Sequence, residues 1–211
     1  MNGRLELSIS RAMSNSTSDA DLIALARAGD DRAFAVLVDR YESAVAATVI
    51  GMLGRGDDAD DVGQETFIRF HRALGSFRGE SSLKTYLVHI AMNLSLNALK
   101  RRRRSLLRFV GREESGDEIA SVPEPRIGPA GDVDAGELQS LVRAAVARLG
   151  EKHRAVVVLR LFNDYSTRET AELLGLPEGT VLSRLSRAMK ELEEQLKPYV
   201  RSGAALPEII R

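Results

Sequence analysis

The chain is 211 residues long, enough for one large or two small domains, and 44% of it is hydrophobic while only 5% is aromatic and no tryptophan occurs; this favours helices packed through Leu, Val and Ala over an aromatic-rich β-sandwich. Cysteine is absent, which excludes disulfides and thiolate metal sites and accords with a reducing compartment. Basic and acidic residues cancel to a formal charge of zero, but they are unevenly placed, as in a nucleic-acid binder with a neutral total.

The first stretch, MNGRLELSISRAM, lacks the apolar core of a signal peptide, and the longest apolar run, AVAATVIGMLG from Ala44 to Gly54, is too short to cross a bilayer. Residues 1–18 are expected to be a flexible tail on a cytoplasmic protein with no membrane insertion. SDADLIALARAGD then opens with Ser18 as an N-cap and closes at Gly29, and DRAFAVLVDRYESAVAATVIGML follows with apolar residues at helical spacing. DDADDVGQETFIRFHRAL is a third predicted helix with an acidic first turn, and SSLKTYLVHIAMNLSLNALKRRRR a fourth. That fourth helix runs into an unbroken basic stretch, Lys100–Arg104.

From Gly111 to Gly136 the composition changes. Seven acids (Glu113, Glu114, Asp117, Glu118, Glu124, Asp132, Asp134) face only Arg112 and Arg126, so the segment nets minus five, and it holds three prolines and five glycines with few large apolar residues. Such a segment cannot bury a core and reads as a flexible acidic linker. Beyond it, helices are expected from about Glu137 to Leu149 and from Lys152 to Phe162, followed by a close pair. The fold expected is all-α: two small helical domains, 19–110 and 137–200, joined by the linker 111–136, with a C-terminal tail at 201–211.

The close pair carries the strongest local signal. Ser166 and Glu169 have the spacing of a capping box. Gly175 can end the first helix in a left-handed conformation, and Pro177 suits the first turn of the second. Small Ala171, turning Gly175 and apolar Val181 complete the requirements of a helix-turn-helix. At 100° per residue, Val181, Leu185, Ala188 and Leu192 share one face, with Leu182 and Met189 expected to widen it. Thr180, Ser183, Arg187 and Lys190 fall within about 80° on the other side, with Arg184 on its flank. Hydroxyls and cations on one helix face suit base edges and phosphates in a major groove; a solvated face of a small bundle is the alternative.

The segment ARLGEKHRAVVVLRLFNDYSTRETAELLGLPEGTVLSRLSRAMKEL resembles region four of bacterial RNA polymerase sigma factors of the extracytoplasmic-function group. LARAGDDRAFAVLVDRYESAV, DADDVGQETFIRFHRAL and FRGESSLKTYLVHIAMNLSLNALKRRRR resemble region two of the same family, in the same order. The resemblance covers about residues 20–105 and 137–195. It implies that the chain binds core RNA polymerase, at the clamp and flap regions, and selects promoters through minus-35 and minus-ten elements. An anti-sigma factor is the usual partner in control.

The resemblance assigns roles residue by residue. Asp61, Gln64, Glu65 and Phe67 match the motif that docks on the clamp helices of the largest subunit; Asp57, Asp58, Asp60 and Asp61 also complement the positive end of their helix. Leu87, Ile90, Ala91, Leu94 and Ala98 share a core face on the fourth helix, while Asn93, Asn97, Lys100 and Arg104, joined by Arg101, form a polar stripe for the minus-ten strand. The loop SFRGESSL, with Arg78, Glu80, Ser81 and Ser82, corresponds to the one that pockets a flipped base. In region four, Arg168, Thr180, Ser183, Arg184, Arg187 and Lys190 are the expected minus-35 contacts. The acidic linker would thread toward the polymerase cleft. Its 26 residues reach at most about 86 Å.

Departures from the family pattern fall at Asn97, Tyr86, His71, Leu182 and Ser186, and bear on sequence preference rather than on core or docking. His71, His89 and His153 are isolated, no HExxH spacing occurs, and GRGDDAD lacks the GK[ST] ending of a phosphate loop. No metal, cofactor or catalytic function is expected. The rival readings are a free-standing helix-turn-helix regulator, which would need a sensor or dimerisation domain, and a nucleic-acid enzyme, which would need a catalytic constellation.

Overall fold

The computed structural model describes residues 17–110 and 135–200, with side chains from 17 to 105 and from 139 to 199. Most of the expected N-terminal tail, residues 111–134 of the linker and the C-terminal tail lie outside the described residues. Among the described residues every regular element is helical: α1 (Asp19–Arg27), α2 (Asp31–Leu53), α3 (Asp57–Ala73) with a 3₁₀ turn at Leu74–Ser76, α4 (Leu83–Val110), α5 (Ala135–Arg148), α6 (Glu151–Val157) continuing as a π-helical turn Val158–Phe162, α7 (Thr167–Leu174) and α8 (Glu178–Val200).

Local chemistry sets the helix starts. The Ser18 hydroxyl accepts the Asp21 N–H at 3.2 Å, and the Asp30 carboxylate accepts the N–H groups of Arg32 and Ala33 at 2.9 and 3.2 Å, satisfying amides that a helix start otherwise leaves unpaired. Between α2 and α3 the chain turns through Gly56 at φ 137° and ψ 179°, a conformation that essentially only glycine adopts.

Helices α1 to α4 enclose Leu37, Val45, Met52, Phe70, Leu87, Val88 and Met92, each at most 2% exposed. Phe70 is the centre: its ring lies 5.8 Å from Phe34, 6.1 Å from Phe77 and 6.2 Å from Tyr86. The predicted core face of α4 holds at Leu87, Ala91, Leu94 and Ala98, while Ile90 is only half-buried; Val88, Met92 and Ser95 are buried as well. The buried stripe is therefore wider than the predicted one. Ser95 is tolerated there because its hydroxyl donates to the Ala91 carbonyl at 2.8 Å.

The two halves do not stand apart. Apolar residues of α5, α6, the π turn and α8 join the α1–α4 core in one buried cluster. The seam runs along α2. A Cβ built on Gly51 would lie 2.7 Å from Val158 Cγ2 and 3.0 Å from Phe162 Cδ2, so the absence of a side chain at Gly51 is what lets the π turn pack on the helix. One turn earlier, the buried Asn163 side-chain amide donates to Thr48 Oγ1 at 3.1 Å and to the Val158 carbonyl at 3.2 Å. Arg154 donates to the Met52 carbonyl at 2.7 Å, and Lys84 donates to the Asn163 carbonyl at 2.9 Å while lying 5.2 Å from the centre of the Tyr165 ring.

The helix-turn-helix follows the sequence signals closely. Ser166 Oγ accepts the Glu169 N–H at 3.2 Å and the Glu169 carboxylate accepts the Ser166 N–H at 2.7 Å, a complete capping box. Gly175 takes φ 62° and ψ 41°, and the N–H groups of Leu176 and Gly175 return to the carbonyls of Ala171 and Glu172 at 2.9 and 3.3 Å. This is a Schellman ending. Val156, Ala171 and Val181 form a small cluster of their own beneath the turn, with Leu176 packed against it. Leu182 departs from expectation: instead of widening the core face of α8 it is 54% exposed, because the faces of α7 and α6 cover only the side of α8 centred on Val181, Ala188 and Leu192.

Candidate nucleic-acid interface

Three surfaces carry the predicted residues. On α3, the acids Asp57, Asp58 and Asp60 occupy the first turn, where the helix dipole favours negative charge. Asp61 and Gln64 are exposed, Glu65 is half-buried and paired with Arg69 at 2.8 Å, and Phe67 turns inward against the core. Ile68 is 43% exposed on the same helix. Its neighbours at three and four residues, Gln64, Glu65, His71 and Arg72, are all polar, and that spacing places Ile68 on the outer face, away from the buried Val62, Thr66 and Phe70.

The second surface joins the loop 77–82 to α4. Phe77 and Tyr86 stand with ring centroids 4.9 Å apart at 62°, and behind them lies Phe70. With Ser76, Arg78, Gly79, Glu80 and Ser81 these two rings line a concavity of about 240 Å³. Gly79, at φ +71°, makes the left-handed turn that bends the loop around it. Arg78, Glu80 and Ser81 line this cup; Ser82 lies outside it and caps α4, its Oγ accepting the Thr85 N–H at 3.1 Å. Along α4, Asn93, Asn97, Lys100, Arg101 and Arg104 are all exposed. The basic run is divided: Arg102 turns back to pair with Asp58 at 2.5 Å and reaches the Leu53 carbonyl at 3.4 Å, so it braces α4 on α2 and α3 while its neighbours point to solvent.

The third surface is α8. Ser183, Arg187 and Lys190 are exposed, while Thr180 and Arg184 are half-buried. Ser183 Oγ donates back to the Thr180 carbonyl at 3.0 Å. Arg168, on α7, is exposed and paired with Glu172 at 3.1 Å. Leu182 and Ser186 extend the exposed face on the flank away from Arg184. The cap that starts the unit is also charged: the Ser166 hydroxyl, followed by its backbone N–H, holds the Glu169 carboxyl below the usual glutamate range. Among the described residues no group of three or more His, Cys, Asp or Glu side chains could hold a metal ion, and no helix is long and apolar enough to cross a membrane. The histidines are scattered: His71 meets Phe34 edge-on at 4.8 Å, His153 lies 3.6 Å from Glu191 and His89 is exposed.

A helix-turn-helix with a cationic outer face, coupled to a helical bundle bearing an acidic helix and an aromatic-walled loop, defines a two-module helical DNA-binding protein. Comparison with known proteins gives the family. Residues 37–105 match the profile "Sigma-70 region 2" and residues 139–192 match "Sigma-70, region 4". The chain is 34% identical over 195 residues to the ECF RNA polymerase sigma-E factor of Escherichia coli K12, covering 90% of this chain and 100% of that protein. It is 32% identical over 191 residues to the RNA polymerase sigma-H factor of Pseudomonas aeruginosa, covering 88% and 97%. Among solved structures, the sigma factor RpoE in complex with the anti-sigma factor NepR from Bartonella quintana aligns with a TM-score of 0.60 at 25% identity, over 78% of this chain and 96% of that one. CnrH in complex with the cytosolic domain of CnrY aligns with a TM-score of 0.59 at 27% identity, over 86% and 99%.

The chain belongs to the sigma-70 family of RNA polymerase sigma factors, of the extracytoplasmic-function type. It is a non-catalytic initiation factor that works with core RNA polymerase at promoter DNA, not a free-standing regulator or an enzyme.

Proposed function

We propose that three faces of this sigma factor divide the work of initiation. The exposed side of α3, with Asp61, Gln64 and Glu65 around the apolar Ile68, docks on the polymerase clamp, and Phe67 supports it from the core. An apolar centre with a polar surround is the usual make-up of a specific protein interface. The loop with Arg78, Glu80, Ser81 and Ser82 and the α4 stripe with Asn93, Asn97, Lys100, Arg101 and Arg104 receive the minus-ten strand. One base is stacked into the cup walled by Phe77 and Tyr86, and its capture helps open the duplex.

Region four reads the minus-35 element through Thr180, Ser183, Arg184, Arg187 and Lys190, with Arg168 on a phosphate. Leu182, in the N-terminal half of the recognition helix where base edges are met, supplies an apolar surface that fits a thymine methyl. Two elements about 25 base pairs apart lie roughly 85 Å apart along B-form DNA at 3.4 Å per pair, whereas a globule of this length is only about 45 Å across. Region four must therefore leave its seat on α2 for both elements to be held, and the acidic linker tethers it as it does so, its negative charge suited to a nucleic-acid channel. In the cytoplasm an anti-sigma factor covers these faces until release; one similar sigma factor of known structure, RpoE, is in complex with the anti-sigma factor NepR.

The observation that carries this reading is the presence on one chain of both sigma modules, each with its polar or cationic residues left outside the core. In vitro transcription with core polymerase on a genomic fragment library, with start sites mapped, tests it: the factor should confer a new start-site preference. Arg187→Ala should lower holoenzyme affinity for a minus-35 duplex about tenfold. Leu182→Ala should weaken binding to the thymine-bearing duplex but not to the same duplex carrying uracil. Unchanged start sites would sink the reading as a whole, and equal effects on thymine and uracil would remove only Leu182.

A further inference from the structure

Arg27, the last residue of α1, sits outside the segment matched by the region-two profile, yet its guanidinium reaches across the bundle to the root of the loop 77–82. Its Nε–H donates to the Leu74 carbonyl at 2.8 Å and an Nη2–H donates to the Phe77 carbonyl. These two carbonyls bracket the 3₁₀ turn Leu74–Ser76, where the chain leaves α3, and Leu74 itself is buried. Phe77 is the first residue beyond that turn, with an extended backbone at φ −65° and ψ 118°. Its ring, set against Tyr86, is one wall of the cup.

We infer that Arg27 is a positioning residue for minus-ten recognition: by holding the Leu74 and Phe77 carbonyls with one rigid fork it fixes the direction in which the loop leaves α3, and with it the Phe77–Tyr86 wall against which an extruded base stacks. The inference rests on the proposed reading of that loop. The other bonds at the root, Phe77 N–H to the Ala73 carbonyl at 3.0 Å and Ser76 Oγ to the same carbonyl at 3.1 Å, are local to the turn and do not tie it to the rest of the bundle. Arg27 does. The planar guanidinium presents several donors in a fixed arrangement and spans two acceptors at once, whereas a lysine ammonium is a point charge that cannot hold both in the same orientation. Stacking on aromatic walls is worth enough per base that a displaced wall shows directly in single-strand affinity.

The test uses holoenzyme reconstituted with full-length Arg27→Ala and Arg27→Lys, and a fork template whose minus-ten strand is unpaired and carries 2-aminopurine at one position at a time. Arg27→Ala is expected to lower fork affinity about tenfold and to abolish the fluorescence change at the captured position, while affinity for core polymerase and for a minus-35 duplex stays within twofold. Arg27→Lys should recover less than half of the loss. If Arg27→Ala does not remain folded at the assay temperature, Arg27→Lys carries the test through the same ratio of fork to minus-35 binding. Wild-type fork binding, full rescue by lysine, or an equal loss on fork and duplex would overturn the inference. Arg78→Ala and Glu80→Ala separate the two levels: if they also leave fork binding unchanged, the reading of the loop fails; if they weaken it and Arg27 variants do not, only the role of Arg27 fails.

Discussion

Regions two and four solve the problem of stability differently. Region two surrounds Phe70 with apolar residues from four helices and an aromatic group that includes Phe34, Phe77 and Tyr86. Beneath the turn of the helix-turn-helix Val156, Ala171 and Val181 form a small separate cluster; the other buried apolar residues of α5, α6 and α8, among them Val146, Ala188 and Leu192, pack on one another and run on into the region-two core, with the π turn leaning on α2 where Gly51 leaves room for Val158 and Phe162. The first module is held by its own core. The second adds to its own packing local caps and a seat on its neighbour, the seat that the proposed release of region four at a promoter would vacate.

That contrast can be broken at its strong end first. Phe70→Ala removes the most central side chain of region two and should cost about 3–5 kcal/mol, enough to leave little folded protein by circular dichroism at 37 °C. If the loss were under about 1 kcal/mol, the bundle would not depend on that centre. Next comes the seam. Gly51→Leu places atoms where Val158 and Phe162 already stand, and such overpacking costs about 1–3 kcal/mol. Scattering should show a larger radius of gyration while the region-two melting transition persists; an unchanged radius would mean that the two halves are not seated on each other in solution.

The smallest expected effect sharpens the account of the caps. Ser166→Ala should destabilise the helix-turn-helix by about 1 kcal/mol, and it changes the pH response. The Glu169 carboxyl, held below its ordinary value of 4.5 first by the Ser166 hydroxyl and then by the Ser166 N–H, is more acidic folded than unfolded. Its contribution is therefore present above pH 4.5 and lost as pH falls through the lowered folded value. Thermal melts between pH 6 and pH 3 should show a shallower acid-side loss in Ser166→Ala than in the parent, and identical slopes would rule out the reciprocal cap as its source.

Much of this was legible in the chain, for a reason that these residues make plain. The capping box of Ser166 and Glu169 and the Schellman ending at Gly175 are hydrogen bonds spanning three to five residues; their geometry depends on neighbours in sequence, so the sequence determines them. The helical periodicity of α4 likewise placed Asn93, Asn97 and Lys100 outside and Leu87, Ala91, Leu94 and Ala98 inside. Periodicity failed at Leu182 because a wheel shows which residues share a face, not how wide a face the partners cover.

What the tertiary structure alone decided are the contacts across long separations. Arg27 meets Leu74 and Phe77 from 47 and 50 residues away, Asn163 meets Thr48 from 115, and Arg154 meets Met52 from 102. Closing loops of that length gains nothing until complementary surfaces have come together, so no local pattern announces such pairs. The sequence by itself determined helices, caps and the helix-turn-helix; how region four is seated on α2, and which arginine holds the root of the loop 77–82, were decided only when the helices packed.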